Sequence, residues 1–137
     1  MSTTIDKIVS IASAVIKNKE GKVLLLQRSG IASYPDHWQL VEGKLEESER
    51  VDSALKREVQ EEIGGIVKVM HIDTVFYNEL PAKGQYYLAF RVVFDVELES
   101  DEVKISEEHK SFAWYTKDEA LSLQLLPGVK AVLQKLA

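Results

Sequence analysis

The sequence contains no cysteine, only three prolines and no long apolar segment. Without cysteine the chain has no disulfide, no thiolate nucleophile and no cysteine-ligated zinc, although this absence does not identify the redox compartment. No apolar run approaches the ~20 residues that a membrane-spanning helix requires. Because cysteine is absent, any bound metal must have oxygen or histidine ligands.

The remaining composition is that of an ordinary globular protein. Of its 137 residues 45% are hydrophobic and 28% are charged, and we expect one domain, residues 1–137. Met1–Lys7 is polar and lacks an export pattern, so the expected compartment is the cytoplasm. The net charge of −5 argues against a duplex nucleic-acid partner but allows a small phosphorylated ligand that brings its own divalent cation.

Apolar patterning predicts an α+β fold, an α/β/α sandwich around a mixed β-sheet. The predicted strands are Val9–Ile16, Val23–Gln27, Trp38–Val41, Ile66–Tyr77, Gln85–Leu98 and Phe112–Tyr115. We expect the first two to form a hairpin around a turn at residues 18–21, and the two longest to be antiparallel and joined by a loop at 78–84. Two short helices should follow, one capped by Thr116 and one over Val129–Leu136.

A longer helix is predicted from about Glu49 to Ile63, after a polar loop at residues 42–47. Its apolar residues recur every four positions, Ser48 is a plausible N-cap, and Gly64 supplies the left-handed stop. At about 100° per residue the carboxylates of Glu58, Glu61 and Glu62 project within one arc of about 100°. The helix therefore carries a cluster of negative charge on one side.

This acidic side borders the core, because Glu62 falls within the apolar stripe of the helix. A partly buried, unpaired carboxylate is costly, and Mg²⁺ is a common remedy because it takes oxygen ligands and keeps coordination positions for substrate phosphates. The alternative is a solvated acidic face with an ordinary salt bridge.

The segment from Gly43 to Gly64 resembles the Nudix box, in which fixed glycine, glutamate and arginine positions recur at set intervals. The matching residues are Gly43, Glu49, Arg57, Glu58, Val59, Glu61, Glu62 and Gly64. A chance match of the seven fixed positions has a probability on the order of one in a million. The strand order outside the box is also similar to the fold of that family.

The resemblance implies Mg²⁺-dependent hydrolysis, with Mn²⁺ as a substitute. It implies that Glu58 and Glu62 coordinate the metal and that Glu61 either coordinates as well or accepts a proton from the attacking water. It also implies that Arg57 orients a catalytic glutamate through a forked contact. Glu49 is expected to be structural, pairing with Arg57 or capping the helix.

The chain departs from the family pattern at two positions. Glu42 stands where relatives commonly have glycine, and Gly65 takes the closing apolar position. The family uses the backbone carbonyl of the residue before the first box glycine as a metal ligand, so Glu42 is included in the metal set, and its side chain could also reach the site. The reaction class does not depend on either position.

Residues outside the box complete the candidate site. Glu108 is a better candidate than Glu107 for an additional general base, the alternative being a solvated acidic loop. In the predicted loop at 28–37, Tyr34 is a candidate for stacking on a nucleobase and Arg28 for contacting a phosphate, although a plain surface arginine is an equal alternative. The three histidines are isolated and show no metal-ligand spacing.

The expected reaction is hydrolysis of a nucleoside triphosphate, ordinary, oxidised or non-standard, to a monophosphate and pyrophosphate. ADP-ribose and dinucleoside polyphosphates are alternative substrates. The other classes of function are a non-catalytic nucleotide-binding domain and a purely structural module. The partner is a small nucleotide, with neither nucleic acid nor membrane, and the resemblance makes a homodimer an open alternative to a monomer.

Overall fold

The computed structural model describes residues 4–136. In chain order the elements are β1 (Lys7–Ile16), β2 (Val23–Arg28), β3 (Trp38–Gln39), β4 (Val41–Lys44), α1 (Val51–Ile63), β5 (Val67–Ala82), β6 (Gln85–Leu98), β7 (His109–Tyr115), α2 (Lys117–Leu121) and α3 (Val129–Lys135). Within residues 4–136 no helix is long and apolar enough to cross a membrane. Residues 1–3, part of the segment used to predict the compartment, lie outside the described residues.

The strands form two sheets. The larger has the order β4-β1-β6-β5, and the smaller has the order β3-β2-β7. In the larger sheet β1 is parallel to β6 and antiparallel to β4, whereas β5 and β6 are antiparallel. The larger sheet is therefore mixed, as predicted.

Helices cover both faces of the sheets. Leu55 and Val59 of α1 belong to one apolar core, together with Ala14 of β1. Val15, the next residue of β1, belongs to a second core with Leu133 of α3. Successive side chains of a strand point to opposite faces, so a strand buried on both sides reads as a continuous apolar run. The predicted α/β/α sandwich is confirmed.

The acidic helix begins later than predicted. Val51 is the first residue of α1, and Arg50 is its N-cap without a side-chain hydrogen bond. The prediction of a start at Glu49 with Ser48 as N-cap is wrong, since Glu49 uses its carboxylate to accept from the backbone N–H of Glu46 and lies before the helix. The predicted stop is confirmed, because Gly64 is left-handed with φ of 64°.

The predicted β1–β2 hairpin is also wrong, although the turn at residues 18–21 exists. The side chain of Asn18 accepts from the backbone N–H groups of Glu20 and Lys22, each at 3.0 Å, which closes the turn. Beyond an isolated bridge between Lys17 and Val23 the two strands diverge into different sheets. Both edges of β1 are already occupied, by β4 and β6, so β2 cannot extend along it.

The antiparallel pair β5–β6 is confirmed, but its connection is much shorter than predicted. Residues 78–82, which were predicted to belong to the loop, continue β5 and pair with β6. The polar loop predicted at residues 42–47 is shortened in the same way, because β4 extends to Lys44. Lys83 and Gly84 alone make the turn, with φ of 52° and 73°. Pro81 is tolerated because β5 lies at the edge of the sheet.

The two C-terminal helices agree with the sequence predictions to within one residue. The hydroxyl of Thr116 accepts from the backbone N–H of Glu119, and the Glu119 carboxylate accepts from the N–H of Thr116, so a complete capping box starts α2. The final strand begins earlier than predicted, at His109. This extension carries Glu108 and His109 to the neighbourhood of α1.

Candidate active site

An open cleft of about 520 Å³ lies between α1, the end of β4 and the start of β7. We call it the acidic cleft. It is lined by Arg28, Ser29, Ala32, Gln39, Glu42, Gly43, Lys44, Glu46, Arg57, Glu58, Glu62, Glu108 and His109. The structure therefore brings together residues that are separated by up to 81 positions in the sequence, from Arg28 to His109.

Glu62 is the most deeply buried acid of α1, with 4% of its surface exposed. Its Oε1 accepts from the backbone N–H of Glu42 at 2.8 Å, and its Oε2 lies 3.5 Å from Nε2 of His109. Burial raises the pKa of Glu62 well above its ordinary value, and the negative charge of Glu58 raises it further. This carboxyl is therefore poised to take up either a proton or a cation.

Glu58 lies against the backbone of β4. Arg57 Nη1 donates to Glu58 Oε1 at 2.7 Å. Burial raises the pKa of Glu58, and the hydrogen bond from Arg57 opposes that rise. A Cβ on Gly43 would come within 2.5 Å of Glu58 Oε2 and closer still to the rest of the carboxylate. The glycine thus provides the space in which this carboxylate lies.

Arg57 is the centre of an ion-pair network. Its Nε and Nη2 donate to the two carboxylate oxygens of Glu49 at 2.8 and 2.9 Å, which is a forked contact. The hydrogen bond from Arg57 is the main reason that the pKa of Glu49 falls to about 2. Nη1 reaches Glu58 and, at 3.2 Å, Glu61, while Nη2 also contacts the carbonyl of Lys44. Glu49 thus has the structural pairing that the sequence suggested.

The three box acids do not occupy equivalent positions. Glu58 and Glu62 line the acidic cleft, whereas Glu61 lies outside this lining with 58% of its side chain exposed. Among residues 4–136 no three acidic or histidine side chains stand close enough to hold a metal in their present rotamers. Arg57 forms ion pairs with two of the three box acids, Glu58 and Glu61. The donor set nevertheless suits a hard cation, because the acids that line the cleft offer carboxylate oxygens.

Two neighbouring residues at the start of the last strand, Glu108 and His109, line the cleft. Glu108 lines it, whereas Glu107 does not. His109 is buried, with 7% of its surface exposed, and burial lowers its pKa. Its contact with Glu62 was missed by the sequence analysis, in which His109 was an isolated histidine. Its position directly after Glu108 is the only sequence signal that could have indicated it.

Arg28 is held in place by two hydrogen bonds. Its Nε donates to the carbonyl of Ser33 at 2.7 Å, and its Nη1 donates to Oε1 of Gln39 at 2.7 Å. Within the described part of the chain, Nη2 has no hydrogen-bond partner. Arg28 lines the acidic cleft and also the cavity beside it. It is therefore a pre-oriented cation that borders two spaces.

The neighbouring space, which we call the apolar cavity, has a volume of about 310 Å³. Its apolar and aromatic lining comprises Val9, Ile11, Tyr34, Leu80, Ala82, Tyr87 and Leu126. The hydroxyl of Tyr34 donates to the carbonyl of Pro81 at 2.7 Å, which ties the loop after β2 to the tip of the β5–β6 hairpin. Lys44 lies 5.6 Å from the ring centroid of Tyr87. The residues that line both spaces are Arg28, Gln39, Glu42, Gly43 and Lys44, so the cavity and the acidic cleft adjoin each other.

The side chain of Glu42 forms an internal ion pair, whereas its sequence position suggested that it could reach the metal site. Both its oxygens accept from Arg91, at 3.0 and 2.9 Å, and Ser13 Oγ donates to it at 2.8 Å. The expectation that this side chain could also reach the metal site therefore needs correction, since its oxygens are occupied by an internal ion pair. The backbone carbonyl of Glu42 stays a predicted metal ligand. Arg91 was missed, although a charged residue within the apolar run of β6 was a visible signal.

Comparison with known proteins identifies the class. Residues 7–136 match the sequence model of the NUDIX domain. The nucleoside triphosphatase NudI of Escherichia coli O139:H28 is 26% identical over 133 residues, covering 91% of this chain and 94% of that protein. The chain belongs to the NUDIX domain family and is a Nudix hydrolase, an enzyme class that acts on nucleoside diphosphate derivatives and generally uses a divalent metal.

Two solved structures show how far the similarity extends. A MutT NUDIX hydrolase from Burkholderia pseudomallei is 25% identical with a TM-score of 0.80, and the match covers 95% of this chain and 98% of that one. An Ap4A hydrolase from C. elegans is 26% identical with a TM-score of 0.73, and the match covers 93% of each chain. The fold is thus shared over nearly the whole length with hydrolases of different named types.

Proposed function

We propose that this enzyme hydrolyses nucleoside triphosphates, ordinary, oxidised or non-standard, to a nucleoside monophosphate and pyrophosphate. The observation that carries the proposal is that the acidic cleft and the apolar cavity adjoin each other and share part of their walls. The cleft offers carboxylates for a cation and phosphates, and the cavity offers aromatic rings for a nucleobase. The similarity to a nucleoside triphosphatase along almost the whole chain supports this choice.

The proposed cation is Mg²⁺, with Mn²⁺ as a substitute. Glu58, Glu61 and Glu62 would hold it together with the backbone carbonyl of Glu42, and Glu61 must turn inward from its exposed position to contribute. When bound, such a cation offsets negative charge on the phosphate oxygens and favours deprotonation of the attacking water. The raised pKa values of Glu58 and Glu62 support the assignment, since each buried carboxylate gains from a positive partner.

The reaction is the attack of one water molecule on phosphorus. A new P–O bond forms, the bridging P–O bond breaks, and the leaving phosphate group keeps that bond's electron pair. Glu61 or Glu108 accepts the proton of the water. Arg57 has the role of orienting Glu58 and Glu61 through its Nη1, because its other nitrogens are fixed by Glu49. Glu108 already lines the cleft, and among residues 4–136 it has no ion-pair partner like that of Glu58 or Glu61.

Substrate binding is proposed to use the residues around the apolar cavity. Arg28 lies where the cavity meets the cleft, so its pre-oriented guanidinium suits a phosphate oxygen. Tyr34 forms part of the cavity wall, and its ring suits stacking on a base. Lys44 lines both spaces and adds a second positive charge beside the phosphates.

A dinucleoside polyphosphate is the second candidate substrate. It is favoured by the similarity to the Ap4A hydrolase, which is as close in sequence as the similarity to the nucleoside triphosphatase. The same cleft would cut either substrate, because both contain a nucleoside linked to a chain of phosphates. The two candidates differ in what lies beyond the cleaved bond.

The test is a panel of ordinary and oxidised nucleoside triphosphates, ADP-ribose and diadenosine polyphosphates, assayed with Mg²⁺ and with chelator. We expect monophosphate and pyrophosphate from a triphosphate, only with Mg²⁺. Glu62→Gln should abolish most of this turnover, whereas Glu102→Gln, in an exposed loop, is the matched control. If only the diadenosine polyphosphates are hydrolysed, with release of an adenosine polyphosphate, the second candidate is favoured. Binding without turnover of any compound in the panel would contradict hydrolysis.

A further inference from the structure

Arg91 is a charged residue sealed inside the protein, with 1% of its surface exposed. Its Nε and Nη2 form a fork on the carboxylate of Glu42, which also accepts from Ser13. Its Nη1 donates to Asn78 Oδ1 at 3.3 Å, and its Nη2 also reaches the carbonyl of Pro127 at 3.4 Å. Every one of these contacts is internal, so the guanidinium serves the protein rather than a ligand.

The residue that Arg91 holds also contacts the acidic cleft through its backbone. The N–H of Glu42 donates to Glu62 Oε1 at 2.8 Å. One residue thus connects a buried guanidinium, through its side chain, to the most buried acid of α1, through its amide. A forked guanidinium contact fixes direction as well as distance, so Arg91 restrains Glu42 in addition to the strand pairing of Glu42 with Ser13.

We propose that Arg91 is a positioning residue, which clamps Glu42 so that the Glu42 amide orients the Glu62 carboxylate toward the cation. The inference rests on the proposed function, in which Glu62 holds Mg²⁺. The clamp also keeps the Glu42 carboxylate out of the cation site, in a cleft whose lining already includes the carboxyl groups of Glu58, Glu62 and Glu108. Partners that orient metal ligands in this way typically change metal affinity or activity by about 10–100-fold when removed.

The experiment measures Mn²⁺ binding directly, from the electron paramagnetic resonance signal of free Mn²⁺. The variants are Arg91→Met, Arg91→Lys and the double variant Arg91→Met with Glu42→Gln. Breaking a buried pair destabilises a protein, so Leu133→Ala, in the core on the other side of the sheet, is the matched control for lost stability. Circular dichroism establishes that each variant is folded under the conditions used.

We expect about 10–100-fold weaker Mn²⁺ binding for Arg91→Met and an intermediate loss for Arg91→Lys, which keeps the charge but not the fork. The double variant lacks both charges of the buried pair, so no unpaired charge remains. We expect it to keep the weakened Mn²⁺ binding, because the contact that positions Glu42 is still missing. Leu133→Ala should bind Mn²⁺ as the wild type does. In turnover, the half-saturating Mg²⁺ concentration should rise for Arg91→Met while KM for the nucleotide at saturating Mg²⁺ stays unchanged.

Unchanged or tighter Mn²⁺ binding by Arg91→Met would overturn the proposal, as would full recovery in the double variant. If Arg91→Met does not fold, the double variant carries the same test. Metal binding is measured without turnover, which separates this proposal from the proposed function. A wild-type protein that binds Mn²⁺ but hydrolyses no nucleotide contradicts the function alone, whereas one that binds no Mn²⁺ contradicts both.

Discussion

Replacing Gly43 with alanine should damage catalysis much more than folding. The new Cβ would come within 2.5 Å of Glu58 Oε2, whereas ordinary van der Waals contact begins near 3.4 Å. The Glu58 carboxylate must therefore retreat by about 1 Å, a displacement that can cost about 10²-fold in rate when it affects a reacting constellation. Gly43 is not in the left-handed region, so the backbone itself accepts alanine.

The assay compares kcat, the half-saturating Mg²⁺ concentration and Tm for Gly43→Ala and the wild type. Gly30→Ala is the matched control, because its Cβ would lie 3.7 Å from its nearest neighbour, Asp36 Oδ1. We expect a fall in kcat of about 10²-fold with little change in Tm, since the displaced atoms are the end of a flexible side chain. Wild-type kcat and Mg²⁺ requirement in Gly43→Ala would refute the assignment of Glu58 to the cation site.

Three further predictions follow from the same geometry. Because burial raises the folded-state pKa of Glu62, its protonated form contributes stability that is complete below the ordinary value of 4.5 and is lost as pH rises through the raised value. When measured by urea unfolding in chelator, the free energy of unfolding should therefore fall above pH 4.5, and it should fall less in Glu62→Gln than in the wild type. The same pH dependence in both proteins would contradict this prediction. Arg57→Lys cannot reproduce the fork on Glu49, so kcat at saturating Mg²⁺ should fall by about 10–100-fold, and an unchanged kcat would remove its orienting role. Tyr34→Ala should raise KM for the nucleotide by a factor corresponding to about 1–3 kcal/mol of stacking, with Tyr34→Phe as the control for the hydroxyl contact; equal KM values in all three proteins would exclude stacking.

The parts of the fold that sequence predicted well are those determined by neighbouring residues. The apolar repeat of α1 correctly placed Glu62 within the buried stripe, and the Gly64 stop and the Thr116 cap were also local signals. The hairpin expected between β1 and β2 failed because strand pairing is not local. Which edges of β1 are free depends on β4 and β6, whose positions no pattern within residues 9–27 records.

The same distinction applies to the candidate site. The spacing within one helix predicted Glu58, Glu61 and Glu62 on one side, and the fold places Glu58 and Glu62, but not Glu61, in the lining of the cleft. The ion pair of Glu42 and Arg91 joins strands that are 49 positions apart, and the contact of His109 with Glu62 joins a helix to a distant strand. Such partners can be found only when the sheet order is known.

The two adjoining spaces draw most of their walls from different segments of the chain. The acids of the cleft come mainly from α1 and the end of β4, whereas Tyr34, Leu80 and Leu126 of the apolar cavity come from the loop after β2, the hairpin tip and the segment before α3. No acid of α1 lies in these three segments, so substitutions there affect the helix acids only indirectly, for example through the contact of the Pro127 carbonyl with Arg91. The shape that the protein accepts can therefore change by mutation in segments that supply none of the helix acids.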